Sequence, residues 1–192
     1  MNVRPTPEEL ALAGEIGATV PDIISEDLDV LFCGINPGLW SGAVGHHFAR
    51  PGNRFWTVLA LSGFVPEVFA PADERCLVDY GLGITNLVAR STAVASSLPA
   101  AELRSGAPVL EHKVARFRPR FVAVLGMGAY RVAFCHSKAP LGEQASGIGG
   151  ARVWVLPNPS GAQARYQLPE LVLLFGELRE AVGGGPSRQD SS

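Results

Sequence analysis

No stretch of this 192-residue chain approaches the ~20 consecutive apolar residues that a bilayer-spanning helix requires, so a membrane-embedded protein is not expected. The opening MNVRPTPEEL has no apolar core of the kind a secretory leader carries, which points to the cytoplasm. Cysteine is scarce: Cys33, Cys76 and Cys135 stand far apart with no CxxC spacing, against a disulfide framework or a zinc or iron–sulfur centre. Lysine is scarcer still. Only Lys113 and Lys138 occur, neither inside a motif, so Schiff-base chemistry is not expected. Gly126-Met127-Gly128 lacks the third glycine of a dinucleotide fingerprint and an acid about 20 residues on, which argues against a nucleotide cofactor. Adjacent His46 and His47 project in different directions and have no carboxylate or cysteine at ligand spacing, so no metal is expected. No nucleophile elbow is present.

What the chain does have is a core. At this length a single domain buries about 70% of its unfolded surface, and 47% hydrophobic against 18% charged residues suits an α/β globule. The net charge of −2 does not advertise a polyanion binder, but it is unevenly spread. Residues 1–30 hold seven acids and one base, leaving residues 31–192 at net +4. A short helix is expected over 7–18, capped by Thr6 with Glu9 closing a capping box. Buried strands are expected at 28–34, 83–86, 120–125 and 152–156, and helices at 54–61 (capped by Asn53), 72–79, 127–134 and 167–182. A helical pattern over 100–116 should be broken by Gly106 and Pro108, and 35–52 and 137–151 read as loops. Strands alternating with helices predict an α/β fold, a three-layer α/β/α sandwich with a central, mostly parallel β-sheet. The expected organisation is an acidic helical extension over 1–27, a main domain over 28–182 and a disordered tail over 183–192, whose GGGPSRQDSS has nothing to bury.

Two Asn-Pro turns carry the chemistry. GINPG (34–38) follows the apolar Val30-Leu31-Phe32-Cys33, and NPSG (158–161) follows Val153-Trp154-Val155-Leu156. Ligand sites in open α/β sheets form at the carboxyl ends of strands, so the two turns are expected to be two lips of one cleft. Pro37 restricts Asn36 to extended conformations, making its amide a fixed group that can orient a water without being a strong proton acceptor. Gly38 permits close backbone approach. Phe48 offers a flat stacking surface, and Asn86 at a strand end offers a donor–acceptor pair suited to a nucleobase edge.

The segments GINPGLWSGAVGHHFARPGNRFW (34–56), GITNLV (83–88) and VLPNPSG (155–161), in that order, resemble the mismatch-specific uracil-DNA glycosylase and thymine-DNA glycosylase family. The resemblance covers most of 28–180. It implies a uracil-DNA glycosylase-like fold and a monofunctional, cofactor-free enzyme. Such an enzyme flips and hydrolytically releases uracil opposite guanine in double-stranded DNA, leaving an abasic site for base excision repair. Its surroundings would be the cytoplasm and bacterial nucleoid. By matching position, Asn36 would hold the attacking water. Ile35, Gly38, Ser41, His47, Phe48 and Asn86 would form the base pocket, with Ser41 near a pyrimidine C5 substituent. Asn158, Pro159, Ser160, Gly161, Ala162, Gln163 and Arg165 would form the loop that enters the duplex. Ala162 stands where a bulkier wedge is expected, so Gln163 or Arg165 would supply the plug. Beyond what the resemblance implies, Arg50 and Arg54 are either phosphate contacts or solvated charges of the loop and the helix start. His46-His47-Phe48 with Asn86 looks nearer the thymine branch, which extends the expected substrates to thymine and ethenocytosine. The chain is expected to act on G·U or G·T duplex as a monomer, without metal or membrane. The rival expectations are a uracil glycosylase that also accepts single strands and a mismatch-binding protein that does not cut.

Overall fold

A computed structural model describes residues 4–161 and 165–184 of the chain. Five strands form one sheet: β1 (Val30–Gly34), β2 (Leu82–Asn86), β3 (Phe121–Leu125), β4 (Gly142–Glu143) and β5 (Arg152–Leu156), in the order β2-β1-β3-β5-β4. The first four in that order run parallel, and the two-residue β4 pairs antiparallel to β5. The helices are α1 (Pro7–Glu15), α2 (Leu39–Val44), α3 (Phe55–Leu61), α4 (Ala100–Phe117), α5 (Met127–Ala133) and α6 (Leu168–Gly183), with a 3₁₀ segment over Pro71–Tyr80. This is the expected α/β/α sandwich.

β1, β3 and all of β5 after Arg152 read as unbroken apolar runs because they are buried on both faces, as parallel strands covered by helices must be. Alternation then divides β1, β3 and β5 between two cores, while β2 faces one of them. Phe32, Ile84, Phe121, Ala123 and Trp154 face one way, into a cluster closed by Phe55, Phe175 and Leu178 of α3 and α6. Leu31, Cys33, Val122, Val124 and Val153 face the other, against Leu110, Val114 and Tyr130 of α4 and α5. Thr6 and Glu9 make the capping box that starts α1. That helix ends at Glu15, sooner than expected, where Gly17 takes a positive φ of 61°. The acidic extension is tied to the sheet edge: Ile23 and Ile84 exchange backbone hydrogen bonds of 2.9 and 2.7 Å.

Further expectations are corrected, among them the helix over 72–79, which is the 3₁₀ segment. The 35–52 loop contains α2, and the 137–151 loop contains β4. The helix α4 runs unbroken through Gly106 and Pro108. Pro108 is exposed, so the carbonyl it leaves unpaired faces water, and Gly106 is there because a Cβ would collide with the Leu87 carbonyl. Gly183, expected in the tail, is the last residue of α6, and residues 185–192 lie outside the described residues.

The strand order also places the site. From β1 the chain crosses to β2 on one side, whereas from β3 it crosses to β5 on the other. The sheet therefore has its topological switch between β1 and β3, where the loops beyond the strand ends part and leave a crevice.

Candidate active site

A cleft of about 660 Å³ opens at that crevice. Ile35, Asn36 and Gly38 border it after β1, Asn86 after β2, Gly126, Met127 and Gly128 after β3, and Pro157, Asn158 and Ser160 after β5. Ser41, His47, Phe48, Arg50 and Arg165 complete the expected residues that line it. The two turns line the same cleft, and the second is pinned to the segment that leads into α3: the Arg54 amide donates to the Pro159 carbonyl at 3.2 Å, and Gly161 lies so near the Gly52 carbonyl that a Cβ would sit 2.7 Å from it. Ala162 and Gln163 fall outside the described residues.

Asn36 is held by its nitrogen. Nδ2 donates to Thr92 Oγ1 at 2.8 Å, to the Arg90 carbonyl at 3.0 Å and to the Pro37 carbonyl at 3.1 Å. Carbonyl oxygens can only accept, so these partners fix which end of the amide is nitrogen. Thr92 Oγ1 donates in turn to the Val94 carbonyl at 3.1 Å, consistent with its accepting from Asn36. No donor among the described residues meets Asn36 Oδ1, which leaves that oxygen as an acceptor at the cleft wall.

Asn86 is held in the same manner from the opposite side. His47 is buried, and its Nε2 lies 2.9 Å from the Pro21 carbonyl, so Nε2 carries the proton. Burial pushes the imidazole below its ordinary pKa, outweighing the Pro21 carbonyl, Glu74 and Asp22, all of which favour the proton. A neutral ring protonated at Nε2 leaves Nδ1 as an acceptor, and Asn86 Nδ2 sits 3.3 Å from it. The buried Glu74 steadies the loop from behind, accepting from the His47 backbone N–H at 2.7 Å with His46 Nδ1 2.9 Å away. The two histidines thus brace the pocket loop, and among the described residues no three of His, Cys, Asp and Glu are grouped to hold a metal ion.

Phe48 adopts a positive φ of 51°, sparsely populated for an aromatic residue, and its ring stacks on Phe55 with centroids 4.1 Å apart. Ser41, buried, accepts from the Ala49 amide at 3.2 Å and so closes the loop that carries both histidines. Asn158 Oδ1 accepts from the Ser160 amide at 3.0 Å, making the second turn an Asx turn.

Arg54 has another task than the expected phosphate contact. Its guanidinium donates to the carbonyls of Tyr166 (2.7 Å), Ser160 (2.9 Å) and Pro159 (3.2 Å), clamping the base of the second turn. Arg50 and Arg165 are exposed at the rim and are the only charged residues lining the cleft among those described; no carboxylate does so. Sequence reasoning missed Thr92 and the Arg90 carbonyl, the two distant anchors of Asn36. The signal available was weak: a threonine flanked by serine and alanine in a segment with no helical or strand period.

Residues 21–178 match the uracil DNA glycosylase superfamily, and the chain belongs to it. Among solved structures, the solution NMR structure of a candidate uracil DNA glycosylase from Methanosarcina acetivorans superimposes with a TM-score of 0.54. That alignment covers 85% of this chain and 98% of the other at 18% identity, a likeness of fold. Membership makes DNA the partner and uracil excision the general chemistry.

Proposed function

We propose that this protein is a monofunctional DNA glycosylase that extrudes uracil opposite guanine from duplex DNA and hydrolyses its N-glycosidic bond. Extruding a base costs a few kcal/mol, least for one already mismatched, so selectivity for G·U begins before any contact. The base enters the cleft between the two turns, stacks on Phe48 and presents its edge to Asn86. Uracil departs as a stabilised anion and leaves a cationic sugar, a route that needs leaving-group hydrogen bonds and a placed water more than a strong base.

One observation carries this reading. The cleft has no lining carboxylate among the described residues, and beside the β1 end its fixed acceptor is Asn36 Oδ1, whose own nitrogen points its two N–H groups at three oxygens. An amide oxygen orients water and takes no proton, which suits a slow hydrolysis of a good leaving group. The basic rim at Arg50 and Arg165 suits flanking phosphates.

The test is single-turnover base release from labelled duplexes carrying G·U, G·T and A·U, and from the uracil single strand. Release from G·U well ahead of A·U and single strand is expected, as is its loss in Asn36→Ala with duplex binding retained. Equal release from all uracil substrates points to the broad-specificity rival, and binding without release to a mismatch reader. Undiminished release by Asn36→Ala removes Asn36 from the mechanism.

A further inference from the structure

The pocket residue with the most informative surroundings is not Asn36 but Asn86. A carboxamide has two faces to offer: with its oxygen outward beside one N–H it complements a ring N–H next to a carbonyl, the imide edge of uracil. Turned over, it complements a ring nitrogen lone pair next to an amino group, the edge of cytosine. Nothing intrinsic to asparagine chooses between these. The choice belongs to whatever touches the amide from the protein side.

Here that neighbour is His47. Its Nε2 faces the Pro21 carbonyl at 2.9 Å, an acceptor that cannot be protonated, so the ring proton is committed there. Nδ1 is then an acceptor, and it faces Asn86 Nδ2 at 3.3 Å. The remaining amide oxygen lies over Gly34, where a Cβ would come within 2.5 Å of it, and meets no donor among the described residues. Glycine at 34 therefore keeps the space in which that oxygen sits. The groups around His47 are Glu74 from the 3₁₀ segment, Asp22 ahead of β1 and the neighbouring His46. Asp22 is neutralised by Lys113 of α4 at 2.6 Å, so its charge pulls less on the imidazole.

We propose that His47 is the specificity-determining positioning residue of this pocket: by accepting from Asn86 Nδ2 it fixes the amide to read an imide edge and to refuse the cytosine edge. This rests on the proposed glycosylase reading. It means that rejection of the normal base is enforced one residue behind the contact. A lost or inverted acceptor at His47 frees the amide to rotate, and the pocket then admits cytosine bases.

The experiment compares release of 5-fluorouracil and 5-fluorocytosine, each opposite guanine in the same duplex, under single-turnover conditions. The two bases share their C5 substituent and differ at the edge that Asn86 reads. Wild type should strongly prefer fluorouracil. His47→Phe, which keeps a ring but has no acceptor, should lower the fluorouracil-to-fluorocytosine rate ratio about 100-fold, with part of the fall coming from faster fluorocytosine release. His47→Asn, with an acceptor near the Nδ1 position, should hold most of the ratio. A ¹⁵N–¹H imidazole spectrum of the wild-type protein should show His47 protonated at Nε2 alone. An unchanged ratio in His47→Phe, an equal slowing of both substrates, or a proton on Nδ1 would each overturn the proposal. The spectrum needs no activity, so it still decides if His47→Phe does not fold. Release of neither base by wild type would instead overturn the glycosylase reading beneath it.

Discussion

Replacing Asn36 by aspartate is the sharpest single perturbation of this site, because it changes one NH₂ into an oxygen. The shape and the outward-facing acceptor are kept. The anchored end, however, now meets Thr92 Oγ1, the Arg90 carbonyl and the Pro37 carbonyl at the 2.8–3.1 Å separations that suited a donor. Thr92 can turn its hydroxyl toward the new oxygen, giving up its bond to Val94; the two carbonyls cannot adapt. With hydrogen bonds worth about 1 kcal/mol each and a similar or larger penalty for opposed acceptors, the loss is about 3 kcal/mol. For a protein of this size that lowers Tm by roughly 6–12 °C. The alternative is for the carboxyl to keep a proton and donate it, which pushes its pKa upward from the ordinary carboxylate range. Both effects have readouts. Thermal unfolding should show the drop at pH 8 and a smaller one at pH 5, because a protonated carboxyl restores one donor. Base release, flat with pH over this range for an amide, should rise with pH in Asn36→Asp as the carboxylate forms. An unchanged Tm together with a flat rate profile would refute the anchoring of Asn36 through its nitrogen.

Other perturbations test the scaffold. His47 is neutral in the fold, with its pKa held below the ordinary value near 6.5 by burial. The unfolded chain therefore takes up a proton that the folded chain refuses as pH falls below about 6.5, and stability drops there. A Tm–pH curve should show that loss, and His47→Asn should flatten it; identical slopes would refute the assignment. Burial pushes the Cys33 thiol up to about 12, whereas Cys76 and Cys135 are exposed. An aromatic disulfide reagent should accordingly titrate two thiols in the native protein and the third only on unfolding. Pro108→Ala should raise Tm by restoring an α4 hydrogen bond, and Gly106→Ala should lower it despite alanine's better helix propensity, because the methyl meets the Leu87 carbonyl. Arg54→Ala should weaken duplex binding by freeing the second turn, with little change in the salt dependence that true phosphate contacts confer.

The elements legible in the sequence were those governed by neighbours in the chain. The capping box of Thr6 and Glu9, the buried run ahead of GINPG and the RFVAVL strand all rest on contacts a few residues away. Short helices diluted by glycine, such as α2 with Gly42, were not legible. Nor was the unbroken course of α4, because whether Pro108 and Gly106 interrupt a helix depends on solvent at one and on the Leu87 carbonyl at the other. Arg54 was misread for the same reason: its charge at a helix start looks solvated until the carbonyls of residues 159, 160 and 166 arrive from over 100 positions away.

At the site the division is equally physical. The sequence by itself determined that Asn36 and Asn86 stand at the ends of buried strands, that prolines and glycines shape the turns beside them, and that a cleft must lie there. Which end of each amide faces that cleft was decided by tertiary structure alone. Asparagine is nearly symmetric in shape, so its orientation is set by partners, and those partners are Thr92 and the Arg90 carbonyl for one and a histidine oriented by the Pro21 carbonyl for the other.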